Sequence, residues 1–344
     1  MPNNSTKILL LSTLVMGMLV SVSANSWLSA WMGLEINLMS FIPLMSNPKN
    51  MYNTEASLKY FITQVLASAT LLFTITMSAM AEDLFTLHGS NPTTSSIICM
   101  PLLLKTGTAP LHWWFPGVME GLSWGNCVLL MTIQSAAPMM LMSYLISTST
   151  FTSSIILTSV IMGAIGGLNQ TSTRKIMTYS SINHTGWMVM TLTMGETMWT
   201  MYFSIYSILV IAVVSTISLS ETSFINQIPM ASKENTLTKI MMLTSLLSLS
   251  GMPPFLGFMP KWIVAQEMIM NNAIPLATVM VTMSLVTLYY YLKISYSSFT
   301  ILSTEQKWNQ QPQKNEPSKT AKAMIMTSIS LTGMIVYATI NNIQ

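Results

Sequence analysis

Charge is what this sequence has least of. Of 344 residues only 7% are Asp, Glu, Lys or Arg, against a hydrophobic share of 51%, whereas a soluble domain carries about 25% charge. The 14 Lys+Arg and 11 Asp+Glu leave a net charge of +3, too dilute to form a basic face for nucleic acid. Cysteine is nearly absent: Cys99 and Cys127 lie in separate apolar runs. Two thiols cannot build a four-thiolate iron–sulfur cluster, and no CxxC or HxxxH spacing exists. Both read as small buried hydrophobes. The three histidines, His88, His112 and His184, are too scattered for a metal site. These scarcities exclude a soluble enzyme, a secreted disulfide scaffold and a disordered tail.

What is present is apolar length. Mean hydropathy is +0.53, and the runs match the ~20 residues that cross ~30 Å of hydrocarbon. Eleven spans are expected, at 8–24, 27–45, 57–80, 93–110, 122–144, 151–169, 176–194, 199–219, 239–274, 275–298 and 323–341. The fold class is therefore all-α and polytopic. The N-terminus resembles a secretory signal, with Lys7, an apolar run and Ser21-Val22-Ser23-Ala24, and is read as the first membrane helix. A polar loop is expected at 300–322, before the last helix. Methionine, at 34 residues, replaces Leu and Ile as apolar filler, a composition that suits some organellar genomes.

Two spans cannot be straight helices. The ninth covers 36 residues, about 54 Å at ~1.5 Å each, and contains Gly251-Met252-Pro253-Pro254-Phe255-Leu256-Gly257-Phe258-Met259-Pro260. Three prolines and two glycines must break it. The fourth is interrupted at Gly107 and Pro110. The two broken spans are five apart in order and so run in opposite directions, the spacing of an inverted five-helix repeat, with approximate halves at 27–150 and 151–298. Broken helices at matching places in two halves mark the site of many transporters. Irregular backbone persists at membrane depth only where protein or a watery cavity satisfies it.

With the connections numbered alternately from the N-terminus, 12 of the 14 cations fall on one side. Glu82, Asp83, His88 and Glu196 fall on the other. The remaining cations, Lys105 and Lys261, lie within spans. This is the positive-inside pattern, and it puts the cation-rich side on the cytoplasm or matrix.

The ionisable residues inside spans are the functional candidates. Glu35 sits eight residues past Trp27, about 12 Å of helix. Lys105 is 13 residues past Pro92, about 20 Å deep, where a lysine costs at least ~2.5–3.5 kcal/mol to insert. A Lys–Glu pair at such depth can switch between holding and releasing a proton as the partner moves or changes charge. Lys261 opens the helix after the Pro253–Pro260 break, whose positive end disfavours an ammonium. His112, near the end of the fourth span with Glu120, and His184, within the seventh, are relay candidates by virtue of histidine chemistry, although a satisfied core histidine is the commoner case. Trp113 and Trp114 read as interfacial anchors, and Arg174 and Lys175 as flanking ones.

At these residues the chain resembles the NADH dehydrogenase subunit 2 family, an antiporter-like membrane-arm subunit of respiratory complex I. The matching stretches are 31–38 (WMGLEINL), 55–63 (EASLKYFIT), 104–116 (LKTGTAPLHWWFP), 163–171 (GAIGGLNQT), 174–187 (RKIMTYSSINHTGW) and 251–262 (GMPPFLGFMPKW). They follow family order across most of the chain. The length and eleven spans resemble the shortened animal form, and the methionine content an arthropod-like, mitochondrially encoded one. The resemblance implies an antiporter-like fold of two inverted five-helix repeats. It implies that Glu35, Lys105 and Lys261 match the channel glutamate and the lysines of the two broken helices. It implies no cofactor in this subunit, with NADH, FMN, iron–sulfur clusters and ubiquinone bound by others. Its partners would be other membrane-arm subunits and lipids of the mitochondrial inner membrane, not nucleic acid. The N-terminus would face the matrix and the C-terminus the intermembrane space. One position departs from the family, which usually has a lysine in a Trp-Gln-Lys-x-Ala-Pro stretch. Here the stretch is Ile133-Gln134-Ser135-Ala136-Ala137-Pro138. Ser135 can hold water but cannot store a proton near neutral pH. The alternatives are therefore a proton-carrying subunit in which water bridges this gap, a structural subunit that no longer conducts protons, and a stand-alone cation/proton antiporter.

Overall fold

The structure is a computed structural model that describes residues 4–47, 50–81, 92–220, 222–228, 236–296 and 317–343. Fourteen α-helices run through them: α1 (Asn4–Val22), α2 (Trp27–Met45), α3 (Met51–Ala81), α4 (Pro92–Thr106), α5 (Trp114–Gly121), α6 (Trp124–Met131), α7 (Ile133–Ser143), α8 (Thr150–Gly167), α9 (Thr173–Met194), α10 (Glu196–Ser220), α11 (Thr236–Ser250), α12 (Phe258–Met270), α13 (Ile274–Tyr296) and α14 (Pro317–Ile343). No β-strand occurs among the described residues; a single bridge joins Ser172 and Phe224.

Each expected span is occupied by helix. Seven are long and apolar enough to cross a bilayer on those grounds alone: α1, α2, α3, the α6–α7 pair, α8, α10 and α13. The other four are exceptional in instructive ways. Two are the broken spans, α4–α5 and α11–α12. A third, α9, is polar because it forms a core: Ser180, Ser181, Asn183, His184 and Thr185 are all buried. The fourth is α14.

Three boundaries need correction. The third span starts at Met51 rather than 57, since nothing in Met51–Ala56 breaks a helix. The fifth divides at Thr132, between α6 and α7. The polar loop ends early, because Pro317 opens α14. Proline suits the first helical position, where its missing N–H has no partner to lose, so 317–322 is helical. Lys49, Glu82, Asp83, His88, Lys233, Lys307 and Lys314, which entered the charge count, lie outside the described residues.

The chain forms two compact units. Unit 1 comprises Met1–Ser159 with Leu192–Glu196, and unit 2 comprises Val160–Thr191 with Thr197–Gln344. Each contains one broken helix. In unit 1, α1 and α2 meet backbone to backbone: a Cβ at Gly33 would lie 2.5 Å from the Ser21 nitrogen, and one at Gly17 2.8 Å from that of Asn37. That close approach anchors the helix that carries Glu35.

Candidate functional site

Both broken helices end in the same way. In α4, the Gly107 N–H donates to Leu104 O (3.3 Å) and the Thr108 N–H to Leu103 O (3.2 Å). In α11, the Gly251 N–H donates to Ser248 O (3.1 Å) and the Met252 N–H to Leu247 O (3.4 Å). These are paired six-to-one and five-to-two bonds of the Schellman type, with a left-handed residue just past the helix end. Gly107 has φ 72° and Gly251 φ 86°, which a side chain would oppose. The glycines therefore do more than interrupt: they close off helix ends at membrane depth, where stray carbonyls would find no water.

In unit 1 the lysine precedes the break. Lys105 lies in the last turn of α4 and is only 7% exposed, so it is held inside rather than extended to an interface. The Glu35 carboxylate of α2 acts on it electrostatically. Oε1 of Glu35 is buried without a hydrogen-bond partner, which leaves it available to a proton or a water. The Lys105 side chain lines a cavity of about 10 Å³ with Asn37, Tyr60, Gln64, Gln134 and Pro138, room for roughly one water. The polar walls are tied together across four helices, α2, α3, α4 and α7. The Tyr60 hydroxyl donates to Gln134 Oε1 (3.3 Å), Gln134 Nε2 donates to Asn37 Oδ1 (2.9 Å), and Gln64 Nε2 donates to the Lys105 carbonyl (3.4 Å).

Ser135 does not stand in this cavity. Its hydroxyl lies 2.9 Å from both Met131 O, at the end of α6, and Thr132 O, between α6 and α7, so its proton is committed to the backbone where the two helices meet. The neighbouring Gln134 faces Lys105 instead. Sequence reasoning passed over Gln134, Asn37, Gln64 and Tyr60 because each is a neutral polar residue in an apolar span. Their signal was that several such residues in one bundle need one another as partners.

His112 lies in the link between α4 and α5, half-buried, with Nδ1 lacking a partner among the described residues; its carbonyl accepts the Phe115 N–H (3.0 Å). Glu120 is exposed. Trp113 is 68% exposed, as an interfacial ring should be. Trp114 is not an anchor: it is buried, and its indole N–H donates to Leu104 O (3.1 Å), fastening α5 to the last turn of α4.

In unit 2 the lysine follows the break. Lys261 is in the first turn of α12, 6% exposed. Its ammonium turns away from the positive end of its own helix and donates to Ser250 O at 2.8 Å. It thus sits at the negative end of α11, the terminus a cation prefers. His184 of α9 occupies the preceding carbonyl. Its Nε2 lies 3.2 Å from Leu249 O and its Nδ1 2.9 Å from the Tyr202 hydroxyl. A carbonyl only accepts, so in the neutral ring Nε2 carries the hydrogen and Nδ1 accepts from Tyr202. Lys261 acts electrostatically on His184. Glu267 is exposed and has no part in this group.

Two interrupted membrane helices, each closed by a glycine and each holding a buried lysine, define an antiporter-type membrane protein. The comparisons agree. Residues 24–287 match the family described as NADH:quinone oxidoreductase/Mrp antiporter, transmembrane. The chain is 45% identical over 336 residues to NADH-ubiquinone oxidoreductase chain 2 of Locusta migratoria, covering 97% of each, and 45% identical to that of Anopheles gambiae, covering 95% of each. Among solved structures, a chain of respiratory complex I from Thermus thermophilus superposes with a TM-score of 0.82 at 21% identity, over 96% of this chain and 79% of that one. A chain of the Mrp complex from Dietzia sp. does so with 0.80 at 15%, over 95% and 75%. The protein belongs to the NADH-ubiquinone oxidoreductase chain 2 family.

Proposed function

We propose that this chain is a membrane-arm subunit of the proton-translocating NADH:ubiquinone oxidoreductase, carrying protons across the inner mitochondrial membrane. It would neighbour other membrane subunits and lipid, while NADH, FMN, iron–sulfur clusters and ubiquinone bind elsewhere in the complex. In this reading the N-terminus faces the matrix and the C-terminus the intermembrane space, on the strength of the cation asymmetry. The observation that carries the proposal is the burial of Lys105 and Lys261 at the two breaks. A lysine at membrane depth is expensive and has a use there only if its charge is needed. Glu35 and Lys105 form the switching pair, and Lys261 is the second storage group. In this reading Gln134 and the cavity beside Lys105, rather than Ser135, provide the polar surroundings of the lysine.

The test is Lys105→Met in the assembled complex reconstituted into liposomes. Methionine matches the length without the charge. Coupled quinone reduction and proton uptake per NADH should both fall, and full pumping by the variant would refute the role.

A further inference from the structure

Unit 2 is hollow where α8 ends at Gly167, α9 begins with Arg174 and Lys175, and Lys293 stands in the last turn of α13. A cavity of ≈380 Å³ is lined there by Asn169, Gln170, Thr171, Asn226, Tyr290 and Lys293, within the ~300–1,000 Å³ of ligand sites. Among the described residues no acidic one lines it. Its walls are fixed. The loop after α8 is bridged to the loop after α10 at Ser172 and Phe224: the Thr173 N–H donates to Ser223 O and the Ile225 N–H to Thr171 O, both at 3.0 Å. Gln227 Oε1 accepts from the Ser223 N–H (3.0 Å) and the Phe224 N–H (3.2 Å) and holds the second loop. The Tyr290 ring lies against the end of α8 because Gly167 has no side chain; a Cβ there would be 2.9 Å from Tyr290 Cε1.

Two side chains of this cavity point to a ligand. Tyr290 is only 4% exposed, yet its hydroxyl is buried without a hydrogen-bond partner among the described residues. Phenylalanine would fill the same space without a stranded polar group. Lys293, one turn further along α13, is exposed and in no ion pair among the described residues. With the side-chain amides of Asn169, Gln170 and Asn226, these groups offer N–H and O–H donors and a positive charge. That is the chemistry of an anion site, and the oxygens of a phosphate accept from all of them. The flank of the cavity tells what carries the anion. Leu285, Tyr289, Leu292 and Tyr296 of α13 are all exposed, and their spacing puts them in one stripe along the helix. The stripe belongs to a helix long and apolar enough to cross a bilayer and rises to the level of Lys293. Ile165 and Leu168 make an exposed apolar edge at the end of α8. A soluble phosphate has no use for such an approach, whereas acyl chains do. We propose that the cavity holds the phosphate of an anionic phospholipid, paired with Lys293 and accepting from the Tyr290 hydroxyl, with its acyl chains along the stripe from Leu285 to Tyr296. Basic pockets between membrane helices on this side suit such headgroups, and no carboxylate lines the cavity to pair the cation of a zwitterionic lipid. The proposal rests on the reading of this chain as a membrane subunit with its cation-rich end at the bilayer surface, and needs no proton to pass through unit 2.

Photolabelling of the assembled complex tests this. The complex is reconstituted into nanodiscs with phosphatidylglycerol or phosphatidylcholine bearing the same diazirine-modified chain, illuminated, and the labelled peptides are identified by mass spectrometry. Phosphatidylglycerol should label 165–168 and 285–296 in excess over phosphatidylcholine. Lys293→Gln should lower that preference about fivefold, the weight of one cation at a lipid surface. Tyr290→Phe, which keeps the ring and removes the hydroxyl, should lower it as well, and Lys293→Arg should keep it. Equal labelling by the two lipids, or an undiminished preference in either Lys293→Gln or Tyr290→Phe, overturns the proposal. Inorganic phosphate, added against potassium chloride of equal ionic strength, should leave the labelling unchanged because it has no chains to lay along the stripe. Displacement by phosphate would assign the cavity to a soluble anion and overturn the lipid. Lys105→Met, which tests proton carriage, should retain the preference for phosphatidylglycerol, so the two readings fail separately.

Discussion

The two broken helices are built alike and charged differently. Each ends its first half in a glycine-closed turn, and each keeps one lysine beside that turn. In unit 1 the lysine belongs to the helix that ends, and its counter-charge is Glu35, a group that can itself gain a proton. In unit 2 the lysine belongs to the helix that begins, and its ammonium is held by the Ser250 carbonyl, whose partial charge is permanent. A titratable partner makes a switch, because the attraction vanishes when the carboxylate is neutralised. A carbonyl makes a steady store. Under the proposed function one backbone device would thus support two electrostatic roles, and the difference would lie in which side of the break bears the lysine.

The largest effect should come from removing the switch. Glu35→Gln keeps the shape and abolishes the changeable charge, so proton pumping should be lost while quinone reduction by other subunits persists in uncoupled form. A normal proton-to-NADH ratio would show that unit 1 is no switch. Next is Gln134→Leu, which leaves Asn37 Oδ1 and the Tyr60 hydroxyl without their mutual partner. A buried group so stranded costs about 1–3 kcal/mol, visible as a lower unfolding temperature of the subunit in the assembled complex, with reduced pumping.

The turn glycines sharpen the comparison further. Alanine at either position is forced into left-handed backbone, at roughly 1–2 kcal/mol. At Gly251 its Cβ would also meet Lys261 Nζ at 3.2 Å, whereas at Gly107 it meets the Trp114 ring at 3.3 Å. Gly251→Ala should therefore lower both stability and coupled turnover, and Gly107→Ala stability alone. Equal losses of turnover would mean that the turn, not the ammonium, is what matters. The smallest effect belongs to Ser135→Ala. Its hydroxyl serves only the backbone at the α6–α7 division, so stability should move within about 0.5 kcal/mol and pumping should stay normal.

Much of this was legible in the linear chain. Eleven spans follow from hydropathy and length, and the two breaks from proline and glycine where a helix has no freedom to be irregular. Lys105, Lys261 and Glu35 stand out because charge inside an apolar run is costly. The companions of Lys105 were not legible. Gln134 bonds Asn37 across 97 residues, Tyr60 bonds Gln134 across 74, and Gln64 bonds the Lys105 carbonyl across 41. No local pattern announces such pairs, and α9 reads as a weak span because its polar side is a core rather than a surface.

By itself, then, the sequence determined that this protein crosses a membrane, where its helices must break and which side chains carry charge into the interior. Those are properties of transfer from water and of backbone stereochemistry, and both are local. Tertiary structure alone decided that Gln134 rather than Ser135 faces Lys105, that Trp114 is a fastening and not an anchor, and that the Lys261 ammonium reaches back to the end of the preceding helix. The direction of a side chain depends on which neighbours leave it room and which unpaired dipoles lie within its reach, and packing supplies both.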